Sequence, residues 1–145
     1  MTEGRILGID FGERRIGVAV SDPLRITAQA LPTIKVKFTE QALTELEKII
    51  SEKNIVEIVV GMPFRLKGGK GDTALKVEEF IVKLKDSFRI PVHTWDERFT
   101  SVAAERTIRE FGKSPSRNKE KVDQIAALLI LQGFLDRLSL NKRVG

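Results

Sequence analysis

The 145-residue sequence predicts an α/β domain built on a mixed five-stranded sheet with helices on both faces. Three observations carry this. The chain opens with three closely spaced strand-like runs, the spacing of antiparallel hairpins. Two further strand-like runs lie at 55–61 and 91–95, each preceded by a segment of helical period. Two more helical segments close the chain, giving the order βββ-α-β-α-β-α-α.

The first run, Arg5–Asp10, is apolar and ends on a carboxylate, with Gly12 two residues beyond. Arg15–Ser21 follows at once, and residues 26–36 form a third run broken by Pro32. Residues 40–53 carry apolar side chains at 42, 43, 46, 49 and 50, the stripe of an amphipathic helix. Residues 55–61 (IVEIVVG) are rich in β-branched side chains and read as a buried strand. Residues 72–88 repeat the helical pattern through Val77, Phe80, Ile81, Leu84 and Phe88. The fifth strand is 91–95. A helix over 101–111 stops at Gly112, and a last helix over 119–138 is apolar on most sides, which predicts a central position. Residues 1–138 read as one domain, and 139–145 (SLNKRVG) as a loose basic tail.

Composition excludes several chemistries. With no cysteine there is no disulfide, thiolate zinc site or cysteine nucleophile. A single histidine, His93, excludes a two-histidine metal site and reads as a strand residue. No apolar run approaches the length of a membrane span, and the N-terminus lacks a signal-peptide pattern, so a cytoplasmic protein without a membrane partner is expected. The net charge of +5 is concentrated. Residues 61–71 carry Arg65, Lys67 and Lys70 without an acid, and residues 112–121 carry Lys113, Arg117, Lys119 and Lys121 against Glu120. Each segment is +3, so the rest of the chain is slightly acidic. Two basic loops predict a polyanionic partner.

Three acidic points stand out. Asp10 ends a core strand, where an unpaired carboxylate is costly to bury. Asp96-Glu97 follows another strand, and Asp123 lies inside an apolar helix beside Ala126 and Ala127. Sites in such sheets gather beyond the carboxyl ends of the parallel strands, so these acids can share one edge. Acids brought together from separate elements provide what a divalent cation and a phosphate need. Alternation alone does not choose between Asp96 and Glu97. The glycines at 68, 69 and 71 are not a Walker loop, because GxxxxGK[ST] is absent.

Together these residues resemble the YqgF/RuvX family of the ribonuclease H-like superfamily. The resemblance rests on Gly8-Ile9-Asp10-Phe11-Gly12 with Arg15-Ile16-Gly17-Val18-Ala19-Val20-Ser21-Asp22, on Val59-Val60-Gly61-Met62-Pro63, on Asp96-Glu97-Arg98-Phe99-Thr100-Ser101, and on Asp123-Gln124-Ile125-Ala126-Ala127. It implies a metal-dependent phosphodiester hydrolase with an acidic triad of Asp10, Glu97 and Asp123. Asp10 would bridge two Mg²⁺ or Mn²⁺ ions, and Glu97 and Asp123 would each complete one site. Arg98 and Lys119 are candidates to neutralise the scissile phosphate. The family implies nucleic acid as partner: RNA, in processing the 5′ end of pre-16S ribosomal RNA, or branched DNA, as a Holliday-junction resolvase. The loop Phe64-Arg65-Leu66-Lys67-Gly68-Gly69 departs from the family, which usually has an acid and a glycine there. Two other readings compete: a non-catalytic nucleic-acid-binding module, and an actin-like ATPase, for which the chain supplies one lobe where two are needed.

Overall fold

The computed structural model describes residues 4–63, 72–97 and 100–144. Six strands form one sheet: β1 (Arg5–Asp10), β2 (Arg15–Ser21), β3 (Ala28–Ala30), β4 (Ile34–Lys35), β5 (Ile55–Met62) and β6 (Val92–Asp96). The helices are α1 (Thr39–Glu52), α2 (Asp72–Ser87), α3 (Thr100–Glu110) and α4 (Lys119–Val144), with a 3-10 turn at Pro115–Arg117 before the last. The strand order is β3-β2-β1-β5-β6, with β4 also on β2. β1 and β2 form a hairpin in which Asp10 faces Gly17. β1, β5 and β6 are parallel.

The count is six strands rather than five because the expected third strand divides. Ala28–Ala30 pairs with the end of β2 and Ile34–Lys35 with its start. Pro32, between them, has no N–H to give to the ladder. The last helix also differs from expectation. It continues past Leu138 to Val144, so the basic tail is helical, not loose. No glycine or proline interrupts residues 134–144.

Strand alternation sorts the core into two layers. Leu7, Ile9, Val18, Ile58 and Val60 pack with Ala42 and Leu46 of α1 and with Val77, Phe80 and Leu84 of α2. Ile6, Ala19 and Val59 face the other way, against Ala127, Ile130, Leu131 and Leu135 of α4. Each fully buried Leu or Ile contributes about 1.5–3 kcal/mol. α4 lies unusually close to the sheet because glycines face it. A Cβ on Gly8 would come 2.7 Å from Leu131 Cβ, and one on Gly17 would collide with the carbonyl of Asp123. This close approach brings the start of α4 over the ends of the β1–β2 hairpin. His93 is a strand residue, as expected. It contacts Glu57 at 3.2 Å and stacks on Phe134.

Candidate active site

β1, β5 and β6 run parallel, so their carboxyl ends meet at one edge. Asp10 is the last residue of β1. Glu97 follows β6 directly, and its N–H donates to the Met62 carbonyl at 3.1 Å, which anchors it to the end of β5. Its carboxylate lies over Gly61, where a Cβ would come 2.7 Å from Glu97 Oε2. Only a glycine leaves that space. Asp123 reaches the same edge from the start of α4, whose backbone carbonyl there rests against Gly17. Of Asp96 and Glu97, it is Glu97 that turns to Asp10.

Asp10 and Glu97 lie close enough for each carboxyl to perturb the other's ionisation. Burial, followed by the nearby Asp123 charge, pushes Asp10 up to about 6, although its contact with Glu97 pulls the other way. Burial and the Asp10 charge push Glu97 up to about 8, with Asp96 adding to the rise. Both shifts favour keeping one proton between the two carboxyls of the metal-free pair. Among the described residues, the buried Glu97 Oε2 has no hydrogen-bond partner. An orphaned carboxylate oxygen beside a second dehydrated carboxylate is a poor arrangement for the bare protein and a good one for a hard cation with oxygen ligands.

Asp123 is held differently. Its Oδ2 accepts from Arg15 Nε at 2.7 Å. Among the described residues no three acidic or histidine side chains already converge as a metal cage. Two carboxylates share a proton and the third takes an arginine, which keeps three like charges apart. Arg15 is a site residue that sequence reasoning missed. The signal was present in the hairpin. Asp10 faces Gly17, and Arg15, two residues before Gly17, projects from the same face of the sheet.

Two basins meet at Asp123, and one of them also reaches Asp10; Glu97 lines neither. A cleft of about 470 Å³ contains Asp10, Gly12, Arg15, Lys76, Lys119 and Asp123. A groove of about 680 Å³ on the α3 and α4 side contains Arg109, Lys113, Ser114 and Ser116, and again Arg15, Lys119 and Asp123. Lys113 and Lys119 thus line the path to the acids. Lys121 flanks Lys113 closely enough to hold that ammonium below its ordinary value. Arg117 is exposed on the 3-10 turn and does not line either basin. Arg65, Lys67, Lys70 and Arg98 lie outside the described residues. Arg109 and Lys76 join the basic set, unforeseen because their approach depends on how α3 and α2 pack.

A family model described as RuvX, Holliday junction resolvase, matches residues 4–137. The chain belongs to the RuvX family. It is 50% identical over 139 residues to a protein of Koribacter versatilis named "Putative pre-16S rRNA nuclease", covering 96% of this chain and 91% of that one. A protein of the same name from Ruminiclostridium cellulolyticum is 47% identical over 140 residues, covering 96% and 99%. Among solved structures, Thermus thermophilus RuvC superposes with a TM-score of 0.56 at 14% identity, over 93% of this chain and 96% of that one. The fowlpox virus resolvase in complex with Holliday junction DNA gives 0.55 at 12%, over 92% and 98%. The RuvX chain thus has the ribonuclease H-like fold of these resolvases, and its family is one of nucleases.

Proposed function

We propose that this RuvX chain is a divalent-metal-dependent nuclease that processes the 5′ end of pre-16S ribosomal RNA, with Asp10, Glu97 and Asp123 as its metal-holding acids. One observation carries the reading: the dehydrated, proton-sharing Asp10–Glu97 pair with its orphaned Oε2, set at the carboxyl edge of the sheet. The ligand set contains only oxygens, which favours Mg²⁺ or Mn²⁺. Bound there, such cations supply an activated water and charge stabilisation for phosphodiester hydrolysis.

The chain's own residues do the rest. Glu97 would hold a cation in its ionised form, so its raised pKa makes proton loss part of its role. Asp10, fixed at the end of β1, faces both partners. Arg15 neutralises Asp123 and stands with Lys119 where the two basins meet, so a phosphodiester lying across the edge passes between two cations. Lys113 and Arg109 continue that path along the groove. Arg65, Lys67, Lys70 and Arg98 extend the proposed contact surface from the sequence pattern alone, as do Arg117 and Lys121. No helix among the described residues is long and apolar enough to cross a membrane. We place the activity in the cytoplasm, where ribosomal precursors are processed.

RNA is favoured over four-way DNA because the relatives at 47–50% identity carry the ribosomal name. The resolvases, at 12–14%, share the fold alone. The test is direct. Purified protein is given a 5′-extended 16S fragment and, separately, a four-way DNA junction, with Mg²⁺ or with chelator. Metal-dependent trimming of the RNA supports the reading. Cleavage of the junction alone would move the substrate to DNA. Binding without cleavage of either would leave a non-catalytic module.

A further inference from the structure

A third basin extends the site to the other face of the sheet. The central cleft opens past Phe11, Glu13 and Lys76 into a cavity of about 330 Å³ between α1 and α2. Lys76 Nζ and Glu13 Oε1, 2.6 Å apart, form the neck. The three basins therefore share lining residues in series across the carboxyl edge, with Asp10 and Asp123 in the middle one.

The two flanking basins differ in chemistry. Among the described residues the groove beside α4 is lined by arginine, lysine and serine with Glu105, Val122 and Asp123, and by no aromatic side chain. The cavity beside α1 has three phenylalanines: Phe11, Phe38 and Phe80. Phe11 and Phe80 stack on each other with ring centroids 4.5 Å apart. Phe38, the residue before α1, is 59% exposed, so it is not held in place by core burial. Lys37 and Lys83 are exposed at the rim. Glu79 and Glu13 are also in the wall, Glu13 paired with Lys76. Carboxylates do accept hydrogen bonds from the amino edges of bases. Aromatic faces, rim lysines and carboxylate acceptors are features that bind an unstacked base of a single strand.

We propose that this cavity is a nucleobase pocket. An unpaired base of the substrate strand, on the α1 and α2 side of the scissile phosphate, stacks on Phe38 while Lys37 and Lys83 take the flanking phosphates. The opposite groove grips backbone only. The site thus demands a single-stranded flank on one side of the cut and is indifferent to pairing on the other. This rests on the nuclease reading for its position along the strand, not for the binding itself.

The test uses short single-stranded RNAs with 2-aminopurine at successive positions, on the full chain carrying Asp10→Asn to prevent cutting. One position should be quenched on binding, and adding Phe38→Ala should remove most of that quench. Phe38→Leu, which keeps apolar volume without a ring, should also remove it. In cleaving protein, Phe38→Ala should raise KM about tenfold with little change in kcat. It should have no effect on a substrate trimmed to lack that flank. Quenching unchanged by Phe38→Ala, or restored by Phe38→Leu, overturns the pocket. The fluorescence needs no cleavage, so a wild-type protein that failed to cut would count against the nuclease reading and leave the pocket's own test intact.

Discussion

Replacing Asp10 by asparagine should stabilise the metal-free domain at pH 8 and lose that advantage in acid. Burial and the Asp123 charge raise Asp10 from 3.8 to about 6. Each pKa unit is about 1.4 kcal/mol, so ionising Asp10 is disfavoured by about 3 kcal/mol in the folded chain relative to the unfolded one. The folded state therefore binds more protons than the unfolded state between these values. Stability is full below 3.8 and is lost as pH rises through about 6. Glu97, raised from 4.5 to about 8, carries the loss to higher pH. Asparagine removes the charge that repels Asp123 and helps to raise Glu97, and it keeps a hydrogen-bonding group toward Glu97. Allowing for part of the gain being lost as Glu97 ionises more easily, about 2 kcal/mol should remain at pH 8. For a domain of this size that is about 6 °C in Tm. Thermal melts in chelator from pH 4 to pH 9 measure it. An unchanged or lower Tm for the variant at pH 8, or a gain that persists undiminished at pH 4, would refute the reasoning.

Further outcomes follow from the same geometry. Glu97→Gln should abolish cleavage while Asp96→Asn retains most of it, because only Glu97 reaches Asp10; equal losses in single-turnover rates would sink that assignment. Cleavage should proceed with Mg²⁺ or Mn²⁺ and fall away with Ca²⁺, whose longer bonds and higher coordination number hold water and phosphate less tightly; full activity in excess chelator would end the metal mechanism. Replacing Lys113 and Lys119 by glutamine should flatten the dependence of log affinity on log salt by about 0.7–0.9 per lost phosphate contact. Replacing Lys48 and Lys53 on the α1 side should leave that slope nearly unchanged, and equal slopes would show that the groove is not the binding surface.

Much of this site can be read from the sequence, and the exceptions have a common cause. Asp10 and Glu97 were visible because strand ends are local: an apolar β-branched run stops and an acid follows. The division of the third strand was marked by Pro32, although the two halves were expected as one strand. Asp123 stood out as an acid among alanines. Polarity after Leu138 reads as a tail, whereas α4 continues to Val144 with no glycine or proline to break it. Arg15 and Arg109 were missed for a different reason. Their partners are brought to them by hairpin register and helix packing, over separations such as that between Arg15 and Asp123. The aromatic cavity is the extreme case, since Phe11, Phe38 and Phe80 come from a strand end, a helix start and a helix interior. Periodicity assigns such residues to a core; only the fold shows Phe38 left exposed.

The central claim is that the Asp10–Glu97 pair exchanges its shared proton for a divalent cation. Calorimetric titration of Mn²⁺ into the protein at pH 7, repeated in buffers of different ionisation enthalpy, counts the protons released. With Asp10 near 6 and Glu97 near 8, Glu97 is protonated at that pH and must ionise to become a ligand. The account predicts release of about one proton per protein on binding, and loss of both the binding and the release in Glu97→Gln. Failure to bind Mn²⁺, or binding with no proton released and no dependence on Glu97, would contradict it.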